Sequence, residues 1–105
     1  MIAKKIEEFI CCLKEQRYYD AHEALEEVWF PRRFEKSKEI QLLKGFINAA
    51  VSFELFKRGR EKQSKKVWAN YLKYRGHLFE INSMHQNSYY QLSRLIEDIS
   101  RNRRS

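Results

Sequence analysis

The sequence predicts an all-α fold, a single-domain bundle of about five helices around a buried central one. Three observations carry that prediction. The chain of 105 residues holds only three glycines and one proline against a heavy load of Lys, Glu, Leu, Ile and Phe, a composition of long helices rather than of a many-turned sheet. Apolar residues recur at helical spacing in one segment after another. The stretch "GFINAAVSFELF" is apolar on nearly every side, as a helix at the centre of a bundle must be. With 43% hydrophobic residues the chain can bury a core without disulfides, so one domain over 1–105 is expected. Residues 101–105, "RNRRS", form a short basic tail.

Helix 1, at about 2–15, places Ile2, Ile6, Phe9, Ile10 and Leu13 on one face. Helix 2 is expected from about Ala21 to Trp29. Asp20 suits its N-cap and Glu23 follows at capping-box spacing. Pro31 ends it by disfavouring helical geometry at Phe30, and "RRFEKSK" leads onward. Helix 3, at about 38–58, is the central helix. Gly59 marks its C-terminal cap, and the immediate restart makes helices 3 and 4 an antiparallel hairpin. Helix 4, at about 61–80, should turn Val67, Trp68, Tyr71, Leu72, Leu78 and Phe79 inward. "INSMHQNS" reads as the next connection, and helix 5 follows with an inner face of Tyr89, Leu92, Leu95, Ile96 and Ile99.

The net charge of +7 is concentrated. Residues 57–76 hold 8 of the 21 basic residues and 1 of the 14 acidic ones, which accounts for the whole surplus. No apolar run approaches the roughly 20 residues of a membrane span, and the N-terminal segment lacks the apolar stretch of a signal peptide. No membrane association is expected. Cys11 and Cys12 are adjacent on a helix, where their side chains diverge and do not bridge, and they lack the spacing of metal ligands. They read as structural thiols in a cytoplasmic, reducing environment, with no metal and no cofactor.

The densest chemistry is "YYDAHEALEEVWFP", residues 18–31. His22, Leu25, Glu26 and Trp29 share one helix face, so a core-facing stripe carries two ionisable groups. At i, i+4, His22 and Glu26 have the spacing to hydrogen-bond, to hold a metal jointly, or to act as a general base oriented by a carboxylate. Metal is the weakest of these uses, because "HEALE" supplies one ring nitrogen where HExxH supplies two. On helix 3, Gln41, Lys44, Asn48 and Ser52 draw a polar stripe. If it lies against helix 2, Asn48 pairs with His22 or Glu26, and Gly45 lets the backbones approach beneath Trp29. The alternative is that the stripe faces solvent.

"RYYDAHEALEEVW" followed by "LLKGFINAAVSFELFKRG" resembles the domain-of-unknown-function 309 family, small all-helical proteins, many of them prokaryotic. Ala21, His22, Glu23, Leu25, Glu26 and Trp29 match its first block. Gly45, Ile47, Ala50, Arg58 and Gly59 fit its second, while Lys44 and Asn48 stand where that pattern has glutamines. The resemblance implies a helical fold and no particular reaction.

Three classes of function follow. The first is a protein-interaction or small-ligand module using a cluster of His22, Glu23, Glu26, Trp29, Gly45 and Asn48 between helices 2 and 3. Self-association belongs with it: "RYYDAHEALEEVW" also has the look of a tetratricopeptide first helix, and 15 aromatic residues on five helices leave apolar surface to cover. The second is binding of nucleic acid or another acidic partner through Lys57, Arg58, Arg60, Lys62, Lys65 and Lys66, with Trp68, Tyr71 and Tyr74 as stacking groups. Against it, aromatics at helical spacing suit a core. The third is an enzyme using His22 and Glu26, for which no nucleophile or catalytic motif is evident.

Overall fold

The predicted segments form five α-helices in the computed structural model, which describes residues 2–102. They run α1 (Ile2–Lys14), α2 (Tyr18–Trp29), α3 (Lys38–Lys57), α4 (Glu61–Tyr74) and α5 (Gln86–Asn102), with 3₁₀ turns at Phe30–Arg32 and Arg75–Phe79. The last three residues of the basic tail lie outside the described residues. Among the described residues there is no strand, and no helix is long and apolar enough to cross a membrane.

α3 lies at the centre and packs most extensively against α4, then against α2. Ser37 caps its start, its extended backbone letting Oγ accept from the Ile40 amide at 3.2 Å. Its end is closed at Gly59, whose φ of +81° allows paired bonds, Gly59 N to the Phe56 carbonyl and Arg60 N to the Leu55 carbonyl. That closure produces the expected antiparallel hairpin. An aromatic chain runs through the core: Tyr18 on α2 meets Phe53 at 5.4 Å, Phe53 meets Trp68 at 5.8 Å, Trp68 meets Tyr71 at 4.8 Å, and Phe46 joins Tyr71 to Tyr89 on α5. Each such pair contributes about 0.5–1.5 kcal/mol beyond its buried area.

The ends of α2 differ from expectation. α1 closes through the same paired bonds as α3, but with Gln16 at φ +61° in the position glycine favours, so the chain reverses at once and α2 starts at Tyr18. Asp20 is therefore not the N-cap. It lies in the first turn and takes a 3.0 Å bond from the Arg17 guanidinium, and the capping box with Glu23 does not form. At the other end Phe30 keeps helical geometry, and Pro31 is absorbed into a 3₁₀ turn. Pro31 stands in the first turn of that 3₁₀ segment, where its missing N–H leaves no helical bond unmade.

α4 also ends early. The chain tightens into 3₁₀ geometry after Tyr74, and the change from about 100° to about 120° per residue re-aims the side chains. Leu78 turns inward as expected, whereas Phe79 is 75% exposed. Leu72, at 42% exposure, is also outside the core, because the buried stripe of α4 follows Ser64, Trp68 and Tyr71. α5 presents Tyr89, Leu92 and Ile96 as fully buried residues with Leu95 and Ile99 beside them. It is pinned by polar bonds, Tyr89 Oη donating to Glu39 at 2.6 Å and Tyr71 Oη to Glu97 at 3.2 Å.

Candidate functional site

α2 and α3 pack antiparallel, so Tyr18 meets Phe53 at one end of their seam and Trp29 meets Lys44 at the other, the Lys44 ammonium 4.3 Å from the indole centroid. The buried contacts are apolar, with Ala21, Ala24 and Leu25 of α2 at the core. His22 and Glu26 flank that stripe. Their pairing is real, with His22 Nε2 3.3 Å from Glu26 Oε2, and it is partly solvated: the side chains are 20% and 43% exposed. Tyr19 stands edge-on to the imidazole at 5.5 Å.

His22 borders a groove of about 260 Å³ lined by Tyr18, Tyr19, Val51 and Leu55, with Glu54 and Arg58 joined by a 2.7 Å ion pair in its wall. Apolar rings and methyls make most of the surface. The imidazole and the ion pair supply the few polar groups that would orient a guest.

Asn48 does not join this groove. Its Nδ2 donates to the Lys44 carbonyl at 2.7 Å, and its Oδ1 faces Asn70 of α4 at 3.5 Å. The predicted pairing with His22 or Glu26 is thus replaced by a contact to another helix. Gly45 departs from expectation in the same direction. A Cβ on it would stand 3.0 Å from Tyr74 Cβ, so the close backbone approach is to α4 and not beneath Trp29. The reason is helical drift: each i, i+4 step rotates about 40°, so a stripe that begins toward α2 at Lys44 has turned about 80° by Ser52. Ser52 is buried against Ser64 of α4. Glu23 is exposed, and Glu26 adjoins an acidic surface with Glu23 and Glu27.

Of the basic residues, Lys57, Arg58, Arg60, Lys62, Lys65 and Lys66 are all exposed. Lys57 donates to the Gln16 carbonyl at 3.2 Å and Arg58 pairs with Glu54, so these two help close the fold. Trp68 and Tyr71 are core residues, which takes them away from base stacking. Among the described residues no group of three or more His, Cys, Asp or Glu side chains is placed to hold a metal ion.

A second and larger depression, about 410 Å³, opens at the Trp29 end of the seam and includes Arg33, Lys36 and Tyr74. Arg33 and Lys36 are not among the sequence candidates because they come from a connection between helices, and Tyr74 enters only as a stacking group of the basic segment. The one signal was the crowding of "RRFEK" between two helices.

A family profile described as a domain of unknown function (DUF309) matches residues 6–67, more than half of the chain. No curated protein and no solved structure matches.

Proposed function

The chain belongs to the DUF309 family, and on that footing we propose that it is a binding module whose His22 groove receives a small amphiphilic ligand. The observation that carries this reading is the groove's make-up, a mostly apolar lining with the His22 imidazole, itself bonded to Glu26, at one side and the Glu54–Arg58 pair at another. The free thiols Cys11 and Cys12 accord with a cytoplasmic setting.

Fragment screening by NMR tests the reading. Hits should shift the amides of Tyr19, His22, Val51 and Leu55, and Leu55→Trp, which fills the groove, should abolish them while the protein remains folded. Hits that map elsewhere, or that survive Leu55→Trp, reject it.

Self-association is a second reading, supported by Phe79 packed on Tyr90 at 6.1 Å with both rings exposed. Light scattering that gives a monomer mass at high protein concentration removes it.

A further inference from the structure

The cleft at the Trp29 end of the α2/α3 seam differs from the rest of the basic surface. Arg33, Lys36 and Lys44 all line it, and none of the three has a carboxylate partner among the described residues. Glu35, the acid in the same lining, is already bound and neutralised by Arg32 through two bonds of 2.9 and 3.0 Å. Three unneutralised cations therefore surround one concavity, where low-dielectric walls concentrate their field.

Two of those cations are held in place before any ligand arrives. The Arg33 guanidinium lies 3.7 Å from the Phe30 ring centroid and donates to the Phe30 carbonyl at 2.6 Å. The Lys44 ammonium rests over Trp29. Holding them in place lowers the ordering cost of binding. The Gln41 side-chain amide, which also lines the cleft, has no hydrogen-bond partner among the described residues and stands as a neutral donor. By contrast, Lys62, Lys65 and Lys66 lie on the exposed side of α4, outside the cleft.

We propose that this cleft binds a small multivalent anion bearing phosphoryl or carboxylate groups, with Arg33 and Lys44 as the fixed cations, Lys36 as the third and Gln41 as the neutral donor. The site is separate from the His22 groove and does not depend on it.

Calorimetric and tryptophan-fluorescence titrations with sodium pyrophosphate and, separately, sodium citrate test this at ionic strength held constant with sodium chloride. Saturable binding of at least one anion is expected, with a fluorescence change that Trp29→Phe removes. Lys44→Gln and Arg33→Gln should each weaken binding by about tenfold, while Lys62→Gln/Lys65→Gln/Lys66→Gln leaves it unchanged. Pyrophosphate alone identifies a phosphoryl ligand, citrate alone a carboxylate one, and both together a site that reads charge only. Binding of neither anion overturns the proposal, and so does binding that survives Lys44→Gln but is lost in the triple variant. If Lys44→Gln fails to fold by circular dichroism, amide shifts of the wild type decide: perturbation at Arg33, Gln41 and Lys44 supports the site, and perturbation confined to α4 rejects it.

Discussion

Ser52 and Ser64 hold α3 and α4 together by a reciprocal exchange: each hydroxyl donates to the other residue's backbone carbonyl at 2.8 Å, and the two oxygens lie 2.9 Å apart in the core. Both side chains are small enough to let the helices approach, and both are fully satisfied. Ser52→Ala removes one of the two bonds without leaving a buried donor unpaired, so it should cost about 1 kcal/mol. Ser52→Leu must push the helices apart and should cost about 1–3 kcal/mol. Urea denaturation of the two variants measures the difference, and equal stabilities would show that the close approach is not set here.

Gly45 controls the same interface nearer the C-terminal end of α4. In an exposed helix, replacing glycine by alanine gains about 1 kcal/mol. Here the added Cβ meets Tyr74 Cβ at 3.0 Å, an atom fixed to backbone that cannot rotate away. The packing penalty should outweigh the propensity gain, leaving Gly45→Ala destabilised by about 1 kcal/mol or more. A rise in thermal midpoint would contradict this.

The architecture was legible because each helix carries its own apolar period and Gly59 announces the turn between α3 and α4. The boundaries of α2 were not, since Asp20 and Glu23 have capping spacing, yet the reversal at Gln16, a residue with no preference for positive φ, begins the helix three residues earlier, at Tyr18 rather than Ala21. Of the site, the His22–Glu26 bond followed from i, i+4 spacing within one helix. The placement of Asn48 and Gly45 did not, because which neighbour a residue of a nearly all-apolar helix faces depends on packing, and α3 has neighbours on most sides.

The partial exposure of His22 separates its role from that of Leu25 one turn along. Removing the imidazole loses a solvated contact, so His22→Ala should cost under about 1 kcal/mol. Leu25 is fully buried, and Leu25→Ala should cost about 2–5 kcal/mol. Chemical denaturation of both variants compares them. A His22→Ala protein as damaged as Leu25→Ala would make the histidine a structural residue and remove the reason to see it as part of a binding groove.

Alkaline pH should weaken the packing of α5. Burial, the largest influence, pushes the Tyr71 phenol from 10.0 up to about 12, and burial together with the Glu39 carboxylate raises Tyr89 as well. A raised phenol pKa means that the unfolded chain ionises first. The stabilising contribution is complete below pH 10 and is lost as pH climbs toward the folded value, at up to about 1.4 kcal/mol per pH unit for each tyrosine. Stability measured between pH 10 and 12 should therefore fall more steeply in the wild type than in Tyr71→Phe. Parallel curves for the two proteins would exclude Tyr71 as a contributor.

The adjacent cysteines should react as two different thiols. Cys11 is exposed, with Sγ 3.7 Å from Glu15, while Cys12 is buried in the core cluster. Burial also raises the Cys12 thiol pKa, so both access and thiolate population work against its reaction. A thiol reagent added to the native protein should modify Cys11 quickly and reach Cys12 only as fast as the helix opens or the chain unfolds. Cys11→Ser should remove the fast phase, and Cys12→Ser should leave it intact. A single fast phase that consumes both thiols would mean that α1 leaves its place against α2 far more readily than its buried face implies.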